Sequence, residues 1–157
     1  MRTLVEELGL AAFTKTSGGK GVHIVMPLKR MHDWAAVKGF SQAVVQHLAR
    51  TIKQRFVAKS GEKNRVGKIF VDYLRNSFGA TTVCAWSARA RPGMEVSVPI
   101  AWDELAGHKS SAHWTVQNVA SRLQVGNAPW ATYAASARSL KAAMKLLDFK
   151  PQRVEPV

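Results

Sequence analysis

The apolar positions Leu4, Val5 and Leu8, interrupted by Glu6 and Glu7, follow the spacing of an amphipathic helix over residues 1–9. A secretory signal would instead run from basic to apolar. A short apolar stretch, 10–13, leads into the glycine-rich segment Thr16-Ser17-Gly18-Gly19-Lys20-Gly21, and residues 22–28 read as a β-run closed by Pro27. The pattern is strand, glycine turn, strand. From Asp33, an N-cap type, Trp34, Val37, Ser41, Val44, Leu48 and Ile52 recur at helical spacing, which predicts a helix ending near Arg55. A basic, glycine-containing loop over 59–67 feeds the β-rich run 68–74, and a polar turn follows over 76–79.

Further strands are predicted over 81–86 and over 95–100, the latter placing Val96, Val98 and Ile100 on one face, with a loop between them at 89–93. Residues 102–105 start a short helix. Helices are also predicted over 115–123 and 129–147, the second carrying the stripe Tyr133, Ala137, Leu140, Met144 and Leu147. This gives one domain over residues 1–147 and a frayed tail over 148–157. The class is α/β (α+β), a mixed β-sheet with flanking helices, with no internal repeat or linker.

A chain of 157 residues is one ordinary domain, able to bury roughly 70% of its unfolded surface. Hydrophobic residues at 46% exclude a disordered tail, and no apolar run approaches membrane-spanning length. The single cysteine, Cys84, cannot form an internal disulfide or a thiolate zinc site. Charge changes the picture most. With 23 Lys and Arg against 10 Asp and Glu, the net charge is +13, which points to a polyanionic partner through counterion release. The basic residues are spread along the chain rather than lining one helix, so a membrane surface is not the expected partner.

Three segments could carry chemistry. In Ser17-Gly18-Gly19-Lys20-Gly21-Val22-His23, glycines let backbone N–H groups approach an anion, and Ser17, Lys20 and His23 add side-chain donors. The order of residues is not that of a Walker A loop, and on the residues alone the segment reads first as a tight hairpin turn with a structural histidine. Asp72 stands in an otherwise apolar or aromatic run between Arg65 and Arg75; it suits either a hard divalent ion or an Arg–Asp ion pair at a strand end. In Ser87-Ala88-Arg89-Ala90-Arg91-Pro92-Gly93, the two arginines point the same way if the segment is extended and could grip successive phosphates, or form a basic surface loop. His108 and His113 read as solvated loop histidines. Trp34 and Trp130 stand where helix cores begin, so packing explains them more simply than base stacking.

Residues 13–28, FTKTSGGKGVHIVMPL, together with Lys68-Ile69-Phe70-Val71-Asp72-Tyr73-Leu74-Arg75-Asn76, Ser87 to Gly93, and Val98-Pro99-Ile100-Ala101-Trp102-Asp103-Glu104-Leu105, resemble four ordered motifs of the polymerase module of bacterial ligase D. The resemblance extends to about Leu147. It implies a partial archaeo-eukaryotic primase-polymerase fold, corresponding to the C-terminal half of the module, whose members add nucleotides to DNA ends in non-homologous end joining with a preference for ribonucleotides. On that resemblance, Ser17, Gly18, Gly19, Lys20 and His23 would contact the incoming NTP or dNTP. Asp72 would be a catalytic ligand of Mn²⁺ or Mg²⁺, Arg65, Arg75, Arg89 and Arg91 would hold phosphates, and Lys15 would line the cleft toward DNA. DNA ends are the implied partner, with ligase and nuclease modules and the end-binding protein Ku beside them, in a bacterial cytoplasm at the nucleoid. The family's D-x-D metal strand precedes the helix corresponding to residues 1–9, and none of the ten acidic residues here forms a D-x-D pair. The expectation is therefore a lobe that binds but does not catalyse alone, with two alternatives: a non-catalytic nucleic-acid-binding module, or a homo-oligomer that covers an otherwise exposed sheet face.

Overall fold

A computed structural model describes residues 1–107 and 110–151. His108 and most of the predicted tail lie outside the described residues. In chain order the elements are α1 (Arg2–Glu7), β1 (Phe13–Thr16), β2 (Val22–Val25), α2 (Trp34–Thr51), β3 (Phe56–Val57), β4 (Ile69–Phe70), β5 (Pro99–Ile100) and α3 (Lys141–Leu146). Short 3₁₀ turns stand at Glu62–Arg65, Asp103–Gly107, Val119–Gln124 and Ala128–Trp130. The architecture is mixed α/β and divides into two compact units, one of residues 30–82 with the C-terminal segment from Ser139, the other of residues 2–29 and 83–138. No helix among the described residues is long and apolar enough to cross a membrane.

In the first unit, Asp33 caps α2 by accepting from the Ala36 amide at 2.7 Å, the role its side chain predicts. The buried face of α2 is Ala36, Phe40, Val44, Val45 and Leu48. That stripe is rotated from the predicted one: Trp34 is 57% exposed and Ile52 lies beyond the helix at its C-cap. Phe40 rather than Ser41 takes the core position, because its larger apolar area gains more from burial. From α2 the chain enters β3, which pairs in parallel with β4 through Phe56↔Ile69 and Val57↔Phe70.

The predicted strand over 68–74 is correspondingly short. After Phe70 one more bond, Val71 N–H to the Val57 carbonyl at 3.1 Å, continues the pairing. The Asp72 side chain then accepts the Leu74 amide at 2.8 Å and turns the backbone. Near the C-terminus, α3 buries Ala143 and Met144, with Leu140 buried at its N-cap. Phe149 packs edge-on against Phe40 with ring centroids 6.1 Å apart, so the packed chain reaches two residues past the predicted boundary at 147.

The second unit is built on a three-stranded antiparallel sheet in the order β2-β1-β5. Phe13↔Val25 and Thr16↔Val22 register the hairpin around the glycine turn, as the pattern predicts. Strand β1, Phe-Thr-Lys-Thr, is buried along its whole length although three of its four residues are polar. Their polar atoms are satisfied from the 96–100 segment: Thr14 Oγ1 donates to the Ile100 carbonyl at 2.7 Å and Thr16 Oγ1 to the Val96 carbonyl at 3.1 Å. Ser97 Oγ donates to the Thr16 carbonyl at 2.7 Å, and the Val98 amide to Thr16 Oγ1 at 2.8 Å. On the other side of that segment Val96, Val98 and Ile100 pack with Trp86, Leu105, Trp114 and Val119.

Two further predictions give way to backbone pairing at a distance. Residues 81–86 form no strand; the Trp86 amide instead donates to the Ser97 carbonyl at 2.6 Å. The helix predicted over 129–147 is broken, because Arg138 pairs in a parallel bridge with Leu28: its amide donates to the Pro27 carbonyl and its carbonyl accepts from Lys29. Trp130, expected to pack, stacks on Tyr133 at 5.0 Å and donates its indole N–H to the Thr14 carbonyl.

Candidate functional site

The glycine turn of the second unit is closed at its base by the Ser17 amide donating to the Gly21 carbonyl at 3.0 Å, while Ser17 Oγ accepts the Gly21 amide at 3.2 Å. Gly18 lies at φ +57°, a left-handed conformation suited to glycine. The amides of Gly18, Gly19 and Lys20, which lie between the two halves of that closure, donate to no described residue. Ser111 Oγ donates to the Gly19 carbonyl and braces the turn from outside.

Over this turn lies the arginine segment. It is a hairpin excursion: the Arg89 amide donates to the Glu95 carbonyl at 2.9 Å, Ala88 bridges Val96, the Met94 amide returns to the Arg91 carbonyl at 2.9 Å, and Gly93 supplies φ +92°. Trp86 anchors its neck, donating its indole N–H to Asn127 Oδ1 at 2.8 Å. Arg89 and Arg91 reach the same place by a tight turn rather than along the extended segment expected from the sequence: the Arg91 amide donates to the Arg89 carbonyl at 2.8 Å. A Cβ added to Gly19 would stand 2.8 Å from Arg91 Nη1 and 3.4 Å from Arg89 Nη1. Arg89 Nη1 also donates to the Ser17 carbonyl at 3.4 Å. Two like charges brought together over unused amides make the turn locally positive.

Lys15 stands beneath rather than at the surface. It is 5% exposed, and its ammonium donates to the Val83 carbonyl at 2.6 Å and Ser97 Oγ at 3.0 Å. Burial pushes its pKa below the usual lysine range; Cys84 acts against that shift and Arg89 with it. The expectation that Lys15 contacts DNA directly is corrected: its ammonium is enclosed by the fold and contributes charge from below. Lys20 is exposed, and His23 is half-buried on β2 opposite Lys15 in register.

Asp72, Arg65 and Arg75 belong to the first unit. Asp72 is not the buried strand carboxylate the sequence suggests: its side chain is 43% exposed, with one oxygen on the Leu74 amide and the other 4.0 Å from Arg75 Nε. Arg75 Nη1 donates to the Thr81 carbonyl at 3.1 Å, and Arg65 lies over the Phe70 ring at 4.9 Å. Among the described residues no group of three or more His, Cys, Asp or Glu could hold a metal ion. Asp72 could donate one carboxylate oxygen to a divalent ion, but the described residues do not complete a two-metal site. His113, exposed, meets the Trp114 ring edge-on at 4.7 Å.

Ser111 and Ser97 were not singled out from the sequence. Each is a serine whose role exists only once distant segments meet.

The family model described as LigD, primase-polymerase domain, matches residues 1–130. The chain belongs to the LigD primase-polymerase family. Within that family it is 54% identical over 145 residues to the multifunctional non-homologous end joining protein LigD of Pseudomonas aeruginosa, covering 91% of this chain and 17% of that protein. With the corresponding Mycolicibacterium smegmatis protein it shares 28% identity, covering 98% of this chain and 21% of the relative. Its fold is similar to the solved polymerase domain of Mycobacterium tuberculosis ligase D in complex with DNA: TM-score 0.76 at 28% identity, over 87% of this chain and 47% of that one. The LigD primase-polymerase lobe described here thus spans about a fifth of those two full-length relatives and just under half of the solved domain.

Proposed function

We propose that this chain is the phosphate-gripping lobe of a nucleotidyltransferase that adds nucleotides to DNA ends during repair by non-homologous end joining. The observation that carries this reading is the convergence of Arg89 and Arg91 on the Gly18–Gly19 turn, whose amides are unused among the described residues. Guanidinium groups bind phosphate oxygens in bidentate fashion, and successive amides of a glycine turn add donors that need no side chain. In this reading the triphosphate of an NTP or dNTP lies against the turn, and His23 and Lys20 complete the grip. The buried positive charge of Lys15 lowers the cost of bringing polyphosphate close. By relation to the same family, Arg65 and Arg75 would hold phosphates and Asp72 would supply one oxygen to Mn²⁺ or Mg²⁺. The ion itself would neutralise polyphosphate charge; because the remaining carboxylates are not among the described residues, transfer requires a D-x-D-bearing segment. Ligase and nuclease modules, Ku and a bacterial cytoplasmic setting belong to the same reading, by relation to the end-joining proteins.

Fluorescence titration with an NTP and Mn²⁺ tests it. Binding should weaken about tenfold or more when Arg89 and Arg91 are both changed to Ala, the scale expected for losing charge-assisted bonds. Absence of binding, or binding left unchanged in that variant and in His23→Ala, would remove the assignment.

The charge of +13 favours a second reading, a nucleic-acid-binding module without catalysis. Primer extension with a D-x-D-bearing N-terminal fragment separates the two. Restored extension supports the split enzyme; salt-dependent DNA binding with no extension supports the module.

A further inference from the structure

The rotation of α2 leaves Trp34 outside the buried stripe, 57% exposed at the first turn of the helix. Its neighbour is Phe78, 83% exposed, with ring centroids 6.3 Å apart at 66°. Both residues belong to the first unit. Phe78 is held out by a braced turn. The Ala80 amide donates to the Ser77 carbonyl at 3.1 Å, and Gly79 stands at φ +75°, the positive value a type II turn demands at its third residue. That places Phe78 at the second residue, where the side chain projects. Arg75 clamps the loop by donating to the Thr81 carbonyl at 3.1 Å, Ser77 Oγ donates to the Leu74 carbonyl at 3.1 Å, and Asp72 caps the Leu74 amide. So much local bonding serves a side chain that buries little of its own apolar area, whereas an unconstrained aromatic ring would gain by folding inward.

We infer that Trp34 and Phe78 form a stacking platform for an unpaired base of a single-stranded polynucleotide. The inference rests on the proposed DNA-handling reading and adds to it a site for the bases. Charge selects this occupant. Arg75 lies on the same loop, Arg30 precedes Trp34, and Lys38 follows it by one helical turn. The carboxylates of those segments are engaged, Asp33 as the α2 cap and Asp72 on Leu74 and beside Arg75. Two aromatic rings flanked by cations match a base with its phosphate, and stacking accepts any base because every base has a π-face.

Fluorescence anisotropy with a labelled oligothymidylate, and with an abasic tract of the same length, reads stacking apart from phosphate contact. The unaltered chain should bind the thymidylate more tightly than the abasic tract. Phe78→Ala should lose about tenfold in thymidylate affinity and abolish the difference between tracts, with an unchanged salt slope. Phe78→Trp should keep the preference, and Trp34→Ala should reduce it. Thermal denaturation of each variant confirms folding, and Trp34→Phe, which keeps a ring, replaces Trp34→Ala if the latter fails to fold. Equal binding of both tracts by the unaltered chain, or a preference that survives both alanine substitutions, overturns the platform while leaving DNA binding intact. Failure to bind either tract overturns the platform and the DNA-handling reading together.

Discussion

Arg122 and Glu104 form a two-pronged ion pair inside the second unit: Arg122 Nη1 and Nη2 each meet one carboxylate oxygen, the latter at 2.9 Å, and Nη2 also donates to the Pro99 carbonyl at 2.9 Å. Glu104 Oε2 accepts the Ala101 amide at 2.6 Å as well. The pair ties Val119–Gln124 and Asp103–Gly107 to β5. Arg122 is 6% exposed, so removing its partner strands a charge. Glu104→Ala should destabilise the chain by about 3 kcal/mol, whereas a double change to apolar residues of similar volume should cost far less. Arg122→Lys should also be costly because an ammonium cannot bridge both oxygens. Urea unfolding of the three variants reads the ordering; equal stability of all three would refute it.

Adjacent glycines of the turn should respond differently. A Cβ at Gly18 meets the Glu95 carbonyl oxygen at 2.9 Å and would have to adopt φ +57°, so Gly18→Ala should lose about 1–3 kcal/mol of stability. At Gly19 the obstacle is Arg91 Nη1 at 2.8 Å, the far end of a flexible side chain. Gly19→Ala should unfold near the unaltered midpoint but bind triphosphate more weakly, because the guanidinium must swing away. Paired unfolding curves and NTP titrations distinguish the two effects.

Lys15 gives a pH signature. Its folded-state pKa lies below 10.5, chiefly through burial. Between that lowered value and 10.5 the unfolded chain binds more protons than the folded one, so this group makes stability rise with pH across the window. Lys15→Met should remove that rise. Urea midpoints measured from neutral pH toward 10.5 should therefore diverge, the unaltered chain gaining on the variant; parallel profiles would show that Lys15 is not held below its ordinary value.

At Asp72 the structural and chemical roles can be separated. Asn retains a side-chain oxygen for the Leu74 amide, so Asp72→Asn should stay within about 0.5 kcal/mol of the original stability. Asp72→Ala should lose up to about 1 kcal/mol with the turn bond. Both should weaken Mn²⁺-dependent NTP binding if the carboxylate ligates the ion. Titration in the presence of Mn²⁺ and of EDTA checks this.

Local chemistry made part of this fold legible. The α2 cap needs only Asp33 and the Ala36 amide three residues on, and the β1–β2 hairpin needs only glycines between two β-runs. The spacing of Arg89 and Arg91 points to a shared position but not to its means, since the backbone between them turns, with the Arg91 amide on the Arg89 carbonyl, instead of running extended. The burial of Lys15 is not legible in the sequence, because it depends on Ser97 arriving from 82 residues away. The break in the predicted 129–147 helix likewise depends on Pro27 and Lys29 pairing with Arg138. Asp72 looked buried because its neighbours are apolar, yet β3 is only two residues long and leaves β4 little to pair with. The LigD resemblance supplied the phosphate and metal roles that these contacts alone do not name.

Strand β5 forms an outer border of the three-stranded sheet. Pro99 has no amide hydrogen to offer a newcomer, and its carbonyl is already taken by Arg122. An edge without donor or free acceptor at that point makes a poor template for strand addition. Pro99 is itself buried, so this border is covered as well as donorless, and Pro99→Val would leave a new amide N–H inside the fold without a partner rather than on offer to a second chain.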